Sequence, residues 1–352
     1  LAVGTPPKSD GSPDLSFVEA AARSVGEHLN GYKVIVTKST VPIGTGEYLR
    51  KLIRETTKSR SGFGMVSNPE FLREGAAIND FMRPDRVVIG SRDEEAVAIM
   101  RDLYRPLYLI EAPFVITSLE AAELSKYAAN AFLATKISFI NEIANLCDSI
   151  GCDVHDVARA IGMDRRIGSK FLHPGPGFGG SCFPKDTQAL SSVARQFGRE
   201  SMIVDAVIEV NRRQRQAMVP KIEALVGPVE GKTIAVLGLA FKPETDDMRE
   251  APAVDIIKKL LEHGAKVKAY DPVAMTEAGK LLPEIDYALD EYEAVTDADA
   301  LVFVTEWNQF RALDMGRIRD LMKSPRIADL RNIYDPADMR ELGFEYVGVG
   351  RQ

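Results

Sequence analysis

Short apolar runs alternate with longer amphipathic stretches along residues 1–112. The first run, Tyr32–Thr37, is rich in β-branched residues, which is typical of a strand buried in a parallel sheet. The predicted strands are Tyr32–Thr37, Phe63–Ser67 and Val87–Gly90, and the predicted helices are Thr45–Thr57 and Glu94–Tyr104. Strands that alternate with helices in this way predict a parallel α/β sheet.

Residues 113–225 have a mostly helical pattern. Leu119–Ile150 contains neither proline nor glycine and is followed by Gly151, a residue type that commonly ends helices. A helix of these 32 residues is about 48 Å long. So long a helix needs packing partners along its length, which a linker between domains or the core of a dimer would provide. A second helical stretch, Ser201–Leu225, contains Pro220, which is expected to kink or split it.

The alternation of strands and helices resumes in residues 226–352. The predicted strands are Lys232–Leu237, Lys266–Tyr270, Ala300–Thr305 and Arg326–Asp329, and Val254–His263 is a predicted helix that Gly264 ends. The sequence therefore predicts an α/β protein with two doubly wound, Rossmann-like parallel sheets, in residues 1–112 and 226–352. A long-helix central domain, residues 113–225, joins them.

Composition narrows the class of protein. The 352 residues are 45% hydrophobic and 27% charged, as in globular enzymes, and the formal net charge of −7 argues against nonspecific binding of nucleic acid. No apolar run approaches the roughly 18 residues of a membrane span. Three cysteines are too few for a disulfide framework, so we expect a cytoplasmic protein. The four histidines are scattered, and we expect no metal site.

A glycine-rich dinucleotide turn is the first feature to look for in such a fold. The only formal match, Gly175, Gly177 and Gly180, follows no strand and has Pro176 inside it, so it is spurious in that role. The chain also begins with Leu1, and Leu1–Val3 resembles the end of a buried strand. We therefore expect either that the numbering starts inside a longer protein or that a segment is absent.

The strongest local signal is the glycine-rich segment 177–186, which contains Cys182 and Asp186. Glycines allow a backbone to approach a ligand closely, and Pro184 marks the first turn of a helix. The positive end of that helix would favour a thiolate at Cys182. These residues alone fit two interpretations of Cys182, a reactive thiol and a small buried apolar side chain. Cys147 and Cys152 are expected to be core residues.

Three other clusters have both a functional and an ordinary interpretation. Lys126 and Asn130 share a helical face, which either points into a polar pocket or is a stripe exposed to solvent. Pro69 and Gly75 bracket about one predicted helical turn. Its residues Glu70 and Glu74 either face one site or form an exposed acidic turn. Lys242 and Arg249 follow a parallel strand, where they bind phosphates or belong to an ordinary charged loop.

Six motifs in order resemble the UDP-glucose/GDP-mannose dehydrogenase family, and together they span essentially the whole chain. They are Gly4–Pro7, Ser39–Pro42, NPEFLREG at 68–75, SKYAAN at 125–130, GFGGSCFPKD at 177–186 and GLAFKPETDDMRE at 238–250. The resemblance implies a four-electron oxidation of UDP-glucose to UDP-glucuronate, in which two NAD⁺ are reduced and one water is consumed.

The resemblance also implies a role for each catalytic residue. Lys126, Asn130 and Asp186, with a bound water, would remove the alcohol proton and stabilise the incipient alkoxide. Cys182 would trap the aldehyde as a thiohemiacetal, which is oxidised to a thioester. Glu70 would be the general base for hydrolysis of that thioester, and Thr40 would help to place the water.

Binding residues follow from the same resemblance. Those implied for the UDP-sugar, besides Lys126 and Asn130, are Phe71, Leu72, Arg166, Phe171, Leu172, Gly177, Gly179, Phe241, Lys242 and Arg331. Those implied for NAD are Thr5, Thr40, Glu74 and Arg249. The helix Leu119–Ile150 resembles the family's dimer core, so a homodimer is the minimum expectation, and Arg166 is expected to reach a partner subunit.

The chain departs from the family pattern in one respect, because the strand, the glycine turn and the acidic ribose-binding residue that open the family's cofactor domain have no counterpart here. We therefore expect an incomplete first sheet and no NAD turnover by the 352-residue polypeptide alone. Two alternatives stay open. One is GDP-mannose or another nucleotide sugar as the substrate, and the other is an inactive nucleotide-sugar-binding module.

Overall fold

The computed structural model describes residues 1–6, 8, 12–110 and 112–351. The chain forms two compact units. The first comprises Leu1–Phe132 and Lys185–Val204, and the second comprises Leu133–Pro184 and Asp205–Gln352. Pro7, in the motif Gly4–Pro7, lies outside the described residues. The three-domain division at residues 112 and 225 stays a prediction.

The sheet of the first unit is built from the strands β1 (Lys33–Thr37), β2 (Phe63–Ser67), β3 (Val87–Gly90) and β4 (Phe114–Thr117), in that order. β1 pairs with β2, and β3 with β4, in parallel as expected. The junction of β2 and β3 is instead antiparallel and consists of the pair Ser67 and Gly90. Leu1 pairs with the outer edge of β1, since its amine donates to the Val36 carbonyl (2.6 Å) and its carbonyl accepts the Lys38 N–H (2.8 Å). Residues 1–3 nevertheless have no strand structure and are half-buried or exposed, so the predicted end of a buried strand is not seen there.

The sheet of the second unit is parallel throughout. Its strands are β5 (Thr233–Leu237), β6 (Lys266–Tyr270), β7 (Asp286–Tyr287), β8 (Ala300–Phe303), β9 (Arg326–Asp329) and β10 (Glu345–Gly348). They lie in the order β10-β9-β8-β5-β6-β7. The order reverses between β5 and β8, which creates a crevice at the carboxyl ends of these two strands, where doubly wound sheets bind ligands.

The helices are α1 (Ser16–Glu27), α2 (Thr45–Thr56), α3 (Ala77–Met82), α4 (Glu94–Leu103), α5 (Leu119–Ile150), α6 (Val154–Gly162), α7 (Phe183–Gln196), α8 (Met202–Val226), α9 (Pro252–Glu262), α10 (Met275–Leu281), α11 (Glu291–Val295), α12 (Met315–Leu321) and α13 (Pro336–Glu341). Two 3₁₀ turns span Arg105–Ile110 and Asn308–Ala312. No helix in the described ranges is long and apolar enough to cross a membrane. The predicted fold class is confirmed.

The expectation that Pro220 splits the second long helix is wrong, because α8 continues past it to Val226. A proline removes one backbone hydrogen bond from a helix, at a cost of about 3 kcal/mol. Met218, Val219 and Ile222, on either side of it, are buried, and Met218 and Ile222 are completely inaccessible. Burial of these side chains offsets the lost bond.

One apolar core unites helices and sheet within the second unit. It contains Ile140 of α5 and Ile222 of α8 together with Val236 and Val302 of the sheet. Hydrogen bonds add to this packing at the carboxyl end of α5, where Asp148 accepts from Lys221 Nζ at 2.6 Å. The central helices from Leu133 onward and the C-terminal sheet therefore form a single unit.

Candidate active site

Within the first unit, buried polar side chains of α5 and of the first turn of α7 form a group. Lys126, Asn130 and Asp186 are each at most 7% exposed. Asn130 Nδ2 donates to Asp186 Oδ2 at 2.6 Å, and Lys185 Nζ donates to Asp186 Oδ1 at 2.5 Å. Lys126 and Asn130 therefore belong to a polar pocket and are not part of a solvated stripe. Polar groups are buried at this cost only when they are paired or functional.

Glu70 extends this group through an ion pair with Lys126, with 3.1 Å between Oε1 and Nζ. Its other oxygen, Oε2, accepts the Leu72 N–H at 2.6 Å. The Arg86 guanidinium lies over the Phe71 ring, with its central carbon 3.6 Å from the ring centroid. Lys126 Nζ lies 5.4 Å from the same centroid. The segment that follows β2 therefore supplies both a carboxylate partner and an aromatic partner for Lys126.

The helical turn predicted between Pro69 and Gly75 is wrong, because residues 68–73 have no helical structure. The Leu72 N–H, which a helix would use within its ladder, is bound by the Glu70 side chain instead. Glu70 and Glu74 do not share a helical face, and Glu74 is exposed.

A small cleft, partly open to solvent, lies at the carboxyl ends of β1 and β2. Its lining residues are Thr37, Ser39, Thr40, Val41, Ser67, Pro69, Glu123 and Lys126. Thr5 holds the backbone of one lining residue, since Thr5 Oγ1 donates to the Thr40 carbonyl at 2.9 Å. Thr37 Oγ1 is buried and has no hydrogen-bond partner within the described part of the chain. Hydroxyls at this edge of an α/β sheet fit the polar groups of a bound nucleotide cofactor.

Glu123 is a site residue that the sequence analysis missed. Its carboxylate accepts the Gly44 and Gly46 N–H groups, each at 2.7 Å, and the Ser67 hydroxyl at 3.1 Å. It thereby caps the amino end of α2 from a position on α5. Burial raises the pKa of Glu123 to about 7, and the three donated hydrogen bonds oppose that rise.

Lys38 was also missed. Its ammonium donates to Asn68 Oδ1 at 3.1 Å, and Tyr104 donates to the same oxygen at 2.6 Å. Burial lowers the pKa of Lys38 to about 8, while the Glu70 carboxylate raises it and the Lys126 charge lowers it further. Lys38 therefore belongs to the same electrostatic group as the Glu70–Lys126 ion pair.

Cys182 lies in the second unit, immediately before the first residue of α7, as predicted. Its side chain is exposed, and its sulfur lies 3.6 Å from the Ser181 hydroxyl. Cys147 is buried and Cys152 is half-buried against the apolar core, also as predicted. Gly179 approaches another part of the chain so closely that a Cβ there would be 2.1 Å from the Glu250 carbonyl oxygen. Glycine is thus required next to the thiol loop by close packing, and the segment follows no strand.

The second unit also contains the residues implied for the nucleotide. Phe241 follows β5, and its carbonyl accepts from Arg331 Nη2 at 3.2 Å. Lys242 Nζ lies 5.3 Å from the Phe241 ring centroid. The buried Asp329 shapes the loop that contains Arg331 by accepting the N–H groups of Arg331 (3.1 Å) and Ile333 (2.7 Å). These residues are therefore placed around the crevice between β5 and β8.

The remaining implied residues of the second unit have different surroundings. Arg166 is almost fully exposed and pairs with Asp164 at 2.6 Å. Arg249 pairs with Asp247 at 2.7 Å. Phe171 has a positive φ of 66° and packs on Phe183, whereas Leu172 is buried. Gly177 also has a positive φ, 105°.

Family models match three consecutive segments of this chain. They describe the UDP-glucose/GDP-mannose dehydrogenase family and match its NAD binding domain at residues 1–108, its central domain at 120–213 and its UDP binding domain at 235–336. The chain belongs to this family. The predictions of the family, of an NAD-dependent dehydrogenase and of NAD as the cofactor are confirmed.

Individual members of the UDP-glucose/GDP-mannose dehydrogenase family are similar over the whole chain. UDP-glucose 6-dehydrogenase of Rhizobium meliloti is 53% identical, and the match covers 100% of this chain and 81% of that protein. UDP-glucose 6-dehydrogenase TuaD of Bacillus subtilis is 51% identical, with 100% and 76% covered. The structure of a UDP-glucose dehydrogenase from Pyrobaculum islandicum is 41% identical with a TM-score of 0.91, with 100% and 79% covered.

Proposed function

We propose that the protein containing this chain oxidises UDP-glucose to UDP-glucuronate. The observation that carries the proposal is the buried polar group in which Lys126 pairs with Glu70 and Asn130 pairs with Asp186. Such a group can move a proton and stabilise a developing oxyanion away from bulk water. The names of the relatives at 51–53% identity support UDP-glucose as the sugar nucleotide.

The first oxidation takes the C6 alcohol to the aldehyde. Lys126 and Asn130 donate hydrogen bonds to the alkoxide that develops on the C6 oxygen, and Asp186 accepts the departing proton through a water molecule. The Asn130 and Lys185 contacts to Asp186 hold that carboxylate in place.

The second oxidation uses the thiol. Cys182 adds to the aldehyde carbon to give a thiohemiacetal. Loss of a hydride from the carbon of this adduct, with the hydroxyl proton passing to water, gives a thioester. Glu70 then removes a proton from a water molecule, which Thr40 orients. The water attacks the thioester carbonyl, releasing the uronate and regenerating the Cys182 thiol. Covalent attachment keeps the aldehyde from escaping between the two oxidations.

NAD⁺, when bound, accepts one hydride in each oxidation. We assign its binding to Thr5, Thr40, Glu74 and Arg249, and the hydroxyl-lined cleft that includes Thr40 supports this assignment. Thr5 acts by fixing the Thr40 backbone.

We assign the UDP-sugar to two sets of residues. One set follows β2 or lies on α5, namely Phe71, Leu72, Lys126 and Asn130, and the other comprises Arg166, Phe171, Leu172, Gly177, Gly179, Phe241, Lys242 and Arg331. The cations of Lys242 and Arg331, near the carboxyl ends of β5 and β9, suit a diphosphate.

We further propose a homodimer formed along α5. Phe132, Phe139, Leu146 and Ile150 stay 48–66% exposed on this helix, and the first three repeat every seven residues. An apolar stripe of this kind marks an interaction surface. We assign the exposed Arg166, which pairs with Asp164 in the single chain, to the substrate of the partner subunit. Because the mechanism needs Cys182 as a free thiol, we place the enzyme in the reducing cytoplasm.

Replacement of Cys182 tests the reaction. The full-length protein should form two NADH per UDP-glucose, and Cys182→Ser should lower uronate formation at least 1,000-fold. Cys152→Ser, a half-buried thiol with no assigned role, is the matched control and should retain activity. Unimpaired uronate formation by Cys182→Ser would remove the thiol from the mechanism, and absence of NADH from the unmodified enzyme would refute the proposed activity.

A further inference from the structure

One side chain of α8 holds the glycine-rich loop that precedes Cys182. Asn211 Oδ1 accepts the Phe178 N–H at 2.8 Å, and Asn211 Nδ2 donates to the Phe178 carbonyl at 3.1 Å. A single buried amide thus satisfies both backbone groups of Phe178, as a neighbouring strand would. The contact is close, because a Cβ on Gly177 would be 2.8 Å from Asn211 Oδ1.

The next turn of α8 reinforces this contact. Arg215 Nη2 donates to the carbonyls of Phe178 and Glu250, each at 2.7 Å, and its Nη1 pairs with Asp255 at 2.8 Å. Gln214 Nε2 donates to the Gly175 carbonyl at 2.8 Å. Three neighbouring positions of one helix therefore hold the loop over residues 175–178.

The held residue is connected to the thiol through aromatic packing. Phe178 is 7% exposed, and its ring packs edge-to-face on Phe183 with 5.9 Å between centroids. Phe183 directly follows Cys182 and is the first residue of α7. A shift of the Phe178 backbone would therefore move the ring against which the start of α7 is set.

We propose that Asn211 is a positioning residue for Cys182, acting through the Phe178 backbone and the Phe178–Phe183 ring contact. This proposal rests on the function proposed above. Asn211 takes no part in proton or hydride transfer; it holds the backbone that precedes Cys182 at the start of α7. Its loss should therefore impair aldehyde trapping more than the first oxidation, which depends on Lys126, Asn130 and Asp186.

Asn211→Asp separates positioning from folding as cleanly as the chain allows. The variant retains an acceptor for the Phe178 N–H, loses the donor to the Phe178 carbonyl and places a second oxygen against that carbonyl. The matched control is Gln216→Glu, the same amide-to-carboxylate change at an exposed position of α8.

The primary measurement is the ratio of NADH formed to UDP-glucose consumed at saturating substrate, with hydroxylamine present to capture free aldehyde. We expect the ratio to fall from two towards one in Asn211→Asp, with captured aldehyde and a 10- to 100-fold slower formation of uronate. Gln216→Glu should stay at two. A folded Asn211→Asp that keeps a ratio of two and forms uronate within threefold of the unmodified rate would overturn the proposal.

Two further measurements cover the remaining outcomes. If Asn211→Asp does not fold, Arg215→Lys provides a second variant. It retains the positive charge but loses the planar guanidinium that binds both carbonyls and Asp255 at once, and the same fall in the ratio is expected. If the unmodified enzyme forms no NADH, alkylation of Cys182 by iodoacetamide still tests the positioning role. That rate should be at least threefold slower in Asn211→Asp than in Gln216→Glu, because the thiolate is less well held at the start of α7. Equal ratios or equal alkylation rates would contradict the role.

Discussion

Glu123 shows how burial changes the chemistry of a single side chain. It lies on the same helix as Lys126 and lines the same cleft, yet its carboxylate is used to bind the backbone of Gly44 and Gly46. No space exists there for a larger residue, since a Cβ on Gly46 would be 2.9 Å from Glu123 Oε1. The carboxylate therefore fixes the turn that leads from Thr40 into α2.

Glu123 should make stability depend on pH. Its pKa is near 4.5 in the unfolded chain and about 7 in the folded one, so the folded state holds a proton that the unfolded state has lost between these values. The stability that this proton contributes is fully present below pH 4.5 and is lost as pH rises through 7. The difference in unfolding free energy between the unmodified protein and Glu123→Gln should therefore fall by about 3 kcal/mol from pH 5 to pH 8.

Urea denaturation of both proteins across this pH range checks the prediction. Glu142→Gln makes the same change at an exposed position of α5 and is the matched control. A difference between the unmodified protein and Glu123→Gln that stays constant from pH 5 to 8 would show that Glu123 is ionised throughout.

The sequence was enough to place site residues next to helix starts and strand ends, but it was not enough to predict which of their side chains are buried. Cys182 was found because glycines and Pro184 mark its setting in the sequence. Lys126 and Asn130 were found by their spacing, but whether they faced solvent depended on which segments pack over α5. Glu123 and Lys38 gave no signal, because a carboxylate or an ammonium in an amphipathic segment is usually solvated.

At the scale of elements, continuous apolar runs and unbroken helical stretches were predicted well. β2, β3, β6, β9 and α5 have the predicted bounds. The predictions failed where side chains compete with the backbone, as at Glu70, or where packing overrides local preference, as at Pro220. Among the elements missed, α3 has no buried residue, so its apolar residues do not form the pattern of a packed face.

The helix α5 should mediate dimerisation through its seven-residue repeat. Leu146 is 53% exposed, and placing a charge there would bury an unpaired carboxylate in the interface. We expect Leu146→Glu to convert the dimer to a monomer at micromolar concentration, as measured by size-exclusion chromatography with light scattering. Leu289→Glu makes the same change at a leucine that is 85% exposed and lies outside α5, and this variant should stay dimeric. Identical masses for both variants would contradict an interface along α5.

At the scale of the whole molecule, the parallel, doubly wound class of the second sheet followed from the alternation of strands and helices, because parallel crossovers allow few arrangements. The order of its six strands was not predicted. The antiparallel contact between β2 and β3 did not follow, since local pattern is the same for either direction. Nor did the sequence indicate that residues 133–184 would join the C-terminal sheet as one unit. That outcome depends on contacts between residues far apart in the chain.

Arg351 makes several of these long-range contacts in the second unit. It is buried and pairs with Asp153 at the start of α6 (2.8 Å) and with Asp335 at the start of α13 (3.0 Å), and it also donates to the Tyr334 carbonyl (3.0 Å). A single guanidinium thus joins the central helices to the C-terminal domain. Removing it leaves two carboxylates and a carbonyl without their shared donor.

Because the two carboxylates are partly solvated, Arg351→Met should lower the free energy of unfolding by about 1–3 kcal/mol, less than loss of a fully buried pair. Arg326→Met is the matched control: it removes a guanidinium that pairs with the exposed Glu345 within the same sheet, and it should cost less than about 1 kcal/mol. Urea denaturation followed by circular dichroism measures both. An equal loss in the two variants would mean that the apolar core alone, without the Arg351 contacts, holds the central helices to the C-terminal sheet.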